Sequence, residues 1–434
     1  YEHSLAGVVA SLADGSVNSG DASGDIYTSI QNLAGSAYDD TLIGNSAANR
    51  LTGGMGNDLL DGGAGSTGDS FDGGGGIDTV TYSNATAGVT ASLTASLAFL
   101  QSGDAIGDSF SGVENLTGSL FGDTLIGDGG ANRLNGGDGN DILEGMGGGD
   151  TLIGGNGSNT ASYEHASAGV IASLSAPASN GGDAAGDSYS SIQNLTGSDY
   201  NDTLGGDDGA NTLIGGIGND ILEGMGGADT LIGGSGSDTA TYANANGGVT
   251  ASLTASLAAL QSGDGGGDSF SSIENLTGSA YSDQLIGDGG ANILSGGDGN
   301  DILEGMGGGD TLIGGSGSNT ASYEHAAAGV VASLSDNSIN SGDAAGDSYI
   351  GIQNLAGSIY DDTLVGDSAA NTISGGQGND ILDGGTGSAG DILNGGSGLD
   401  TATYVNAAAG VTASLTASLA YLQSGDGSGD LFSE

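Results

Sequence analysis

The sequence predicts an all-β fold, a parallel β-solenoid built from tandem units of about 80 residues. Three observations predict it. Glycine-rich stretches recur every nine residues, each is followed by Asp or Asn and then by three residues with an apolar centre, and the whole pattern restarts at Tyr1, Tyr82, Tyr163, Tyr242, Tyr323 and Tyr404. Self-similarity of this kind marks stacked repeats, in which each unit buries its apolar residues only against its neighbours.

The units divide the chain as 1–81, 82–162, 163–241, 242–322, 323–403 and a partial sixth, 404–434. They alternate in kind. Those at Tyr1, Tyr163 and Tyr323 begin YEH, whereas those at Tyr82, Tyr242 and Tyr404 carry the longer run GVTASLTASLA, so the full period is about 160 residues. The chain opens and closes within a unit, without an initiator Met or a signal peptide, and a segment of a longer protein is expected.

Each unit opens with 25–27 residues that depart from the nine-residue rule. In GVTASLTASLAFL from Gly88, alternation through GVTASL suits a strand, while Leu93, Leu97 and Leu100 also fall at helical spacing, which leaves the second half open. Copies of GDxxGD, such as Gly103 to Asp108, close this opening. The leading Tyr is expected to cap the apolar column where units meet. His3, His165 and His325 of YEH are isolated from one another and read as packing or surface residues. Asn115, Asn194 and Asn275 in NLT read as ladder positions.

The rows follow. From Gly118 they run GSLFGDTLI, GDGGANRLN, GGDGNDILE, GMGGGDTLI and GGNGSNTAS. Glycine permits the positive φ of tight turns. Three residues with an apolar centre place one side chain inward and two outward. Leu125, Leu134, Leu143 and Leu152 supply the inward column. A helix is disfavoured, since each interior Gly costs about 1 kcal/mol relative to Ala. If the odd number of rows in a unit gives an odd number of half-coils, successive units start on opposite edges, which accounts for the doubled period.

Charge now demands a partner. The chain has 54 acidic residues and two basic ones, no Cys, and a net charge of -52. Such acidity excludes nucleic-acid phosphates as partners, no apolar run reaches the ~18 residues of a membrane span, and thiolate metal sites are ruled out. With two nine-residue rows per coil, sixth-position carboxylates stack at about one strand spacing, ~4.8 Å, and would repel. Asp123 over Asp141, Asp141 over Asn159 and Asn132 over Asp150 are such pairs. Ca2+ takes six to eight oxygens, backbone carbonyls included, whereas Mg2+ wants a strict octahedron with retained water and zinc prefers His and Cys. The candidate metal ligands are therefore Asp40, Asp58, Asp69, Asp78, Asp123, Asp141, Asp150, Asp202, Asp220, Asp229, Asp238, Asp283, Asp301, Asp310, Asp362, Asp380, Asp391 and Asp400. Asn132, Asn159, Asn211, Asn292, Asn319 and Asn371 are expected to make weaker sites, being neutral.

The rows match GGxGxDxUx, with U a large apolar residue, and so resemble the hemolysin-type calcium-binding nonapeptide of RTX proteins. The opening GVTASL and the stretch SIENLTGSAYSDQLIGDGGANILSGGDGNDIL resemble the segment that introduces such repeats. The resemblance spans the whole chain. It implies a right-handed parallel β-roll with Ca2+ lodged between successive turns, a Gram-negative source, type I secretion to the extracellular space or cell surface, and folding triggered by external calcium. The Asn rows, the GM openings and the two eleven-residue rows, from Gly62 and Gly384, depart from the motif.

No HExxH, P-loop, Cys nucleophile or Ser-His-Asp set is present, and GGxG runs lack the βαβ context of a nucleotide site. The expected role is a non-enzymatic, calcium-dependent structural segment of a bacterial filament, S-layer or adhesin stalk, with self-association or continuation into further repeats and attachment to a cell surface or matrix. The alternative is the secretion and folding module of an RTX enzyme or toxin; a sugar- or surface-binding module would need a divergent aromatic-rich loop, and none stands out.

Overall fold

The computed structural model describes residues 1–65, 68–387, 389–416 and 423–433. Two compact bodies make up the chain, residues 1–207 with 211–220, and residues 208–210 with 221–434. Both are β-rolls: short strands, most of three or six residues, paired in parallel between coils, with 3-10 turns between some of them.

In the first body one sheet runs Val9–Ser11, Thr41–Ile43, Leu59–Asp61, Thr79–Thr81, Asn115–Thr117, Arg133–Asp138, Thr151–Asn156 and Ser188–Ser190. Alternate rows go elsewhere, first to Asn32–Ala34, Arg50–Met55, Ser70–Gly75 and Ser109–Ser111, then to a further sheet through Thr90–Ser92, Thr124–Ile126, Ile142–Glu144, Thr160–Ser162 and Asn194–Thr196. Partners such as Leu125 and Leu143, or Leu134 and Leu152, are eighteen residues apart, so two nine-residue rows make one coil. The eleven-residue row stretches this to twenty between Leu60 and Val80 without breaking the register. The second body repeats the scheme, with Thr250–Ser252, Gln284–Ile286, Ile302–Glu304, Thr320–Ser322, Asn354–Ala356, Thr372–Gln377, Ile392–Ser397 and Leu431–Ser433 in one ladder.

The core is formed by the central residues of the strands in both ladders of each body. Leu42, Leu51, Leu60, Leu116, Leu125, Leu134, Leu143 and Leu152 are 0% exposed, as the inward position of a three-residue strand requires. The turns are close-packed backbone on backbone: Gly157 has φ +119°, and a Cβ there would strike Gly139 O of the coil below.

Each repeat's opening turns out to be a joint. Thr79–Thr81 pairs directly with Asn115–Thr117, so 36 residues are spent on one ladder step. Between them the chain makes two strands for the other side. Thr90–Ser92 pairs forward with Thr124–Ile126, and Ser109–Ser111 pairs back with Ser70–Gly75. One sheet therefore ends and the next begins while the opposite ladder runs through. The ambiguous half of the opening is a 3-10 helix, Ala95–Leu100, and GDxxGD begins a second one, Gly103–Ala105; in the sixth repeat the run Ala417–Leu422 lies outside the described residues.

The tyrosine seals the joint. Tyr82 and Tyr163 are buried, and each hydroxyl donates to the last carboxylate of GDxxGD: Tyr82 to Asp108 (2.8 Å), Tyr163 to Asp187 (2.9 Å). The backbone N–H of Tyr82 donates to Thr117 O, and that of Tyr163 to Thr196 O. Those acceptors stand in different sheets, so neighbouring repeats do start on opposite sides. The same holds in the second body, where Tyr242 bonds Thr277 and Tyr323 bonds Ala356. Six rows end on the sheet opposite to their start, and the joint adds a whole coil, which inverts each successive repeat.

Candidate metal centres

Every sixth-position residue sits at the bend just before its strand, and the bends stack into columns along the edges. The carboxylates do not meet head to head. Along the columns an Oδ1 accepts the backbone N–H of the equivalent residue one coil earlier: Asp40 N–H on Asp58 (2.8 Å), Asp58 N–H on Asp78 (2.7 Å), Asn49 N–H on Asp69 (2.7 Å); at the column starts the donor is another backbone N–H, Val89 for Asp123 and Asp128 for Asn132. In the second repeat Asp123 N–H reaches Asp141 and Asp141 N–H reaches Asn159, both at 2.9 Å, while Asn132 N–H reaches Asp150 at 2.8 Å. Asp202 stacks on Asp220, Asp283 on Asp301, Asp301 on Asn319, Asn292 on Asp310, Asp362 on Asp380, Asp380 on Asp400 and Asn371 on Asp391 in the same manner. The predicted pairings thus occur, and charge-assisted N–H bonds relieve part of the repulsion.

What the second side-chain atom does divides the positions into three kinds. Rows that open with GS satisfy it internally. Asp123 Oδ2 accepts from Ser119 N (2.6 Å) and from its hydroxyl (3.1 Å), and Asp202, Asp283 and Asp362 are held alike by Ser198, Ser279 and Ser358. Asp40 takes a short bond from Ser36 N.

Asparagine rows satisfy it with a donor. Asn132 Nδ2 donates to Glu114 O (2.8 Å), Asn211 to Gln193 O (2.8 Å), Asn292 to Glu274 O (2.8 Å) and Asn371 to Gln353 O (2.8 Å). Asn159 donates to Ser191 O (3.1 Å) and Asn319 to Gly351 O (3.2 Å).

The third kind is left over. Asp58, Asp78, Asp141, Asp150, Asp301, Asp310 and Asp380 each bury an Oδ2 that has no hydrogen-bond partner. A buried carboxylate oxygen without a donor costs the full desolvation of that group. Burial accordingly raises these carboxyls: Asp58, Asp141, Asp301 and Asp380 to about 6, Asp150 and Asp310 to about 7. Accepted N–H bonds pull the other way, and neighbouring carboxylates add to the rise.

These oxygens face more oxygen. A Cβ on Gly53 would strike Asp58 Oδ2 and lie 2.6 Å from Gly73 O of the next coil; one on Gly375 would strike Asp380 Oδ2 and lie 2.6 Å from Gly395 O. Carboxylate and carbonyl converge on the bare face of a glycine, as they also do at the serine rows, where Gly118 faces Asp123 Oδ2 and Gly136 O; what sets Asp58 and Asp380 apart is that their Oδ2 has no hydrogen-bond partner. Among the described residues, no three His, Cys, Asp or Glu side chains cluster to hold a metal. An ion at these bends must draw most of its ligands from backbone carbonyls, a donor set that suits a hard cation of variable coordination such as Ca2+.

Sequence reasoning missed the ends of the columns. Asp69 N–H donates to Asp108, Asp150 to Asp187, Asp229 to Asp268, Asp310 to Asp347 and Asp391 to Asp430, while Asp78 and Asp238 N–H donate to Glu114 and Glu274. The signal was present, since the last Asp of GDxxGD immediately precedes a three-residue strand such as Ser109–Ser111, as in any ordinary row. His165 and His325 pair with buried Glu144 and Glu304 at 2.8 Å. Asn115, Asn194 and Asn275 are ladder residues whose Oδ1 accepts the N–H of the next strand at 3.0–3.1 Å.

The family described as RTX calcium-binding nonapeptide repeat (4 copies) matches residues 34–68, 109–143, 117–152, 126–161, 191–222, 205–240, 263–303, 286–321 and 357–390, together more than half of the chain. No curated protein matches it.

Proposed function

From the premise that the chain belongs to the RTX calcium-binding nonapeptide repeat family, we propose that it is a calcium-stiffened structural segment of a secreted or surface-exposed bacterial protein, of the filament, S-layer or adhesin-stalk kind, with no catalytic role of its own. Repeats of this family bind Ca2+, and the chain is a calcium-binding repeat module. The observation that carries the reading is the set of buried, donor-less oxygens on Asp58, Asp141, Asp150, Asp301, Asp310 and Asp380. Bound calcium would supply the positive charge that they lack.

The chain's own residues do the rest. Backbone N–H groups fix each Oδ1, so the carboxylate presents Oδ2 toward the carbonyls of the glycine turns. The serine-held Asp40, Asp123, Asp202, Asp283 and Asp362 act as structural bends, and the Asp58 type as ligands. Asp69, Asp220, Asp229, Asp238, Asp391 and Asp400 occupy the same bend positions and are assigned with the ligands. Many modest sites that bind only the folded state add their stabilisation, which offsets the self-repulsion of a net charge of -52.

A structural role is favoured because the entire joint-plus-rows unit recurs, not just the nonapeptides. Continuation into further repeats and attachment to a cell surface or matrix follow as its expected partners. Circular dichroism of the full chain during a calcium titration against EGTA tests the reading. A cooperative gain of β signal by millimolar Ca2+ is expected; an unordered spectrum up to tens of millimolar refutes it.

A further inference from the structure

The joints between repeats come in two chemistries. Leaving the first repeat, Asp78 N–H donates to Glu114 Oε2 at 2.8 Å, and leaving the third, Asp238 N–H donates to Glu274 Oε2 at 2.8 Å. Leaving the second and fourth, the same positions are amides: Asn159 N–H donates to Gln193 Oε1 at 2.9 Å and Asn319 N–H to Gln353 Oε1 at 2.8 Å. Acid with acid alternates with amide with amide.

The remaining side-chain atom decides what each joint needs. In the amide joint Asn159 Nδ2 donates to Ser191 O at 3.1 Å. A Cβ on Gly154 would strike both of those atoms, which locates them on one spot. In the acidic joint the corresponding spot is marked by Gly73: a Cβ there would strike Gly112 O and lie 2.6 Å from Asp78 Oδ2. Asp78 is 0% exposed and that oxygen has no hydrogen-bond partner. The amide joint holds an N–H···O bond where the acidic joint sets oxygen against oxygen. Gly233 marks the same convergence of Ser272 O and Asp238 Oδ2 in the third repeat's joint.

We propose that the joints alternate between cation-bound and cation-free forms. Asp78, Glu114 and the Gly112 carbonyl hold a hard divalent cation, as do Asp238, Glu274 and the Ser272 carbonyl. At Asn159–Gln193 and Asn319–Gln353 the amides close the joint unaided. Both kinds of joint carry a further clasp, His165 Nδ1 on Glu144 and His325 Nδ1 on Glu304 at 2.8 Å in the amide joints, and Asn84 Nδ2 on Asp61 at 2.8 Å and Asn244 Nδ2 on Glu223 at 2.7 Å in the acidic ones, so the difference between them lies at the Asp78 and Asn159 positions. The 160-residue period then has a function: it sets a calcium-independent joint after every second repeat. The inference rests on the calcium reading of the rows, and extends it to Glu114 and Glu274, which stand at the joints directly before the strands Asn115–Thr117 and Asn275–Thr277.

Native mass spectrometry of the full chain in saturating calcium tests it by counting ions. D78N/E114Q is expected to bind one ion fewer than the parent, and N159D/Q193E one more, with circular dichroism in calcium confirming that each is folded. Unchanged counts in folded variants overturn the proposal. Should a double variant fail to regain β signal, the single changes D78N and N159D are counted instead, with the same two outcomes. A parent chain that binds no calcium refutes the calcium reading itself, a result distinct from equal counts among calcium-loaded chains.

Discussion

Asp141 Oδ1 accepts the N–H of Asp123 at 2.9 Å across one coil, while the other oxygen of Asp141 is buried with no hydrogen-bond partner. The pair separates two tasks that look identical in the sequence. Asp123 holds its own bend through Ser119, and Asp141 has an oxygen to spare.

That difference predicts opposite consequences for one chemical change. D141N removes a carboxylate with a free oxygen and should lower the number of bound calcium ions by one, as counted by native mass spectrometry. D123N places an amide where Ser119 N–H needs an acceptor; it should leave the count unchanged and destabilise the calcium-loaded chain by about 1–3 kcal/mol, the cost of a buried unsatisfied group. Equal ion loss in both variants contradicts the sorting.

Acidity should act in opposite directions with and without calcium. In the folded chain Asp58, Asp141, Asp301 and Asp380 lie at about 6 and Asp150 and Asp310 at about 7, against 3.8 when unperturbed. A carboxyl raised on folding favours the folded state fully below its unfolded value and loses that contribution as pH rises through the folded one. Metal-depleted protein should therefore show more β signal at pH 4.5 than at pH 7.5. With calcium present, protons compete for the same oxygens, so the calcium midpoint should rise as pH falls from about 7 to 5. Circular dichroism at the two pH values checks both signs.

The thin core leaves no redundancy. Leu134 is fully buried between Leu116 and Leu152, its register partners in the ladder. L134A should cost about 2–5 kcal/mol, measured by denaturation of the calcium-loaded chain, whereas substitution of the outward Ile142 should cost far less.

The GM rows store strain that can be removed. Met146, Met225 and Met306 adopt φ of +67°, +68° and +66°, a region that penalises any Cβ. M146G should raise stability by up to about 1 kcal/mol, since the left-handed turn persists without the clash, and a calorimetric comparison in calcium would detect it.

Much of this was legible in the sequence. The nine-residue phase alone yields two rows per coil, the inward Leu column and the stacking of Asp123 over Asp141. The inversion of alternate repeats was expected from an odd number of half-coils, and the parity holds although the opening spends 36 residues on a single ladder step. The joint was not legible, because Ser109–Ser111 pairs backward and Thr90–Ser92 forward, a choice made by distant ladders and not by local pattern. Nor did residue type alone distinguish a carboxylate held within its own row from one with an oxygen to spare: Asp40 and Asp58 share a position, and only a serine four residues earlier separates them. Asparagine, expected to be a weaker ligand, has its amide nitrogen committed to a neighbouring carbonyl, as at Asn132 and Glu114.

Crystals grown in calcium, with an anomalous difference map collected where calcium scatters anomalously, test the central claim most directly. Peaks are predicted at the bends of Asp58, Asp141, Asp150, Asp301, Asp310 and Asp380, each between a carboxylate and the glycine carbonyls, with none assigned to Asp123 or Asp283 alone. Bends that carry no peak in well-diffracting calcium-grown crystals, or ions seated away from the aspartate columns, would contradict the account.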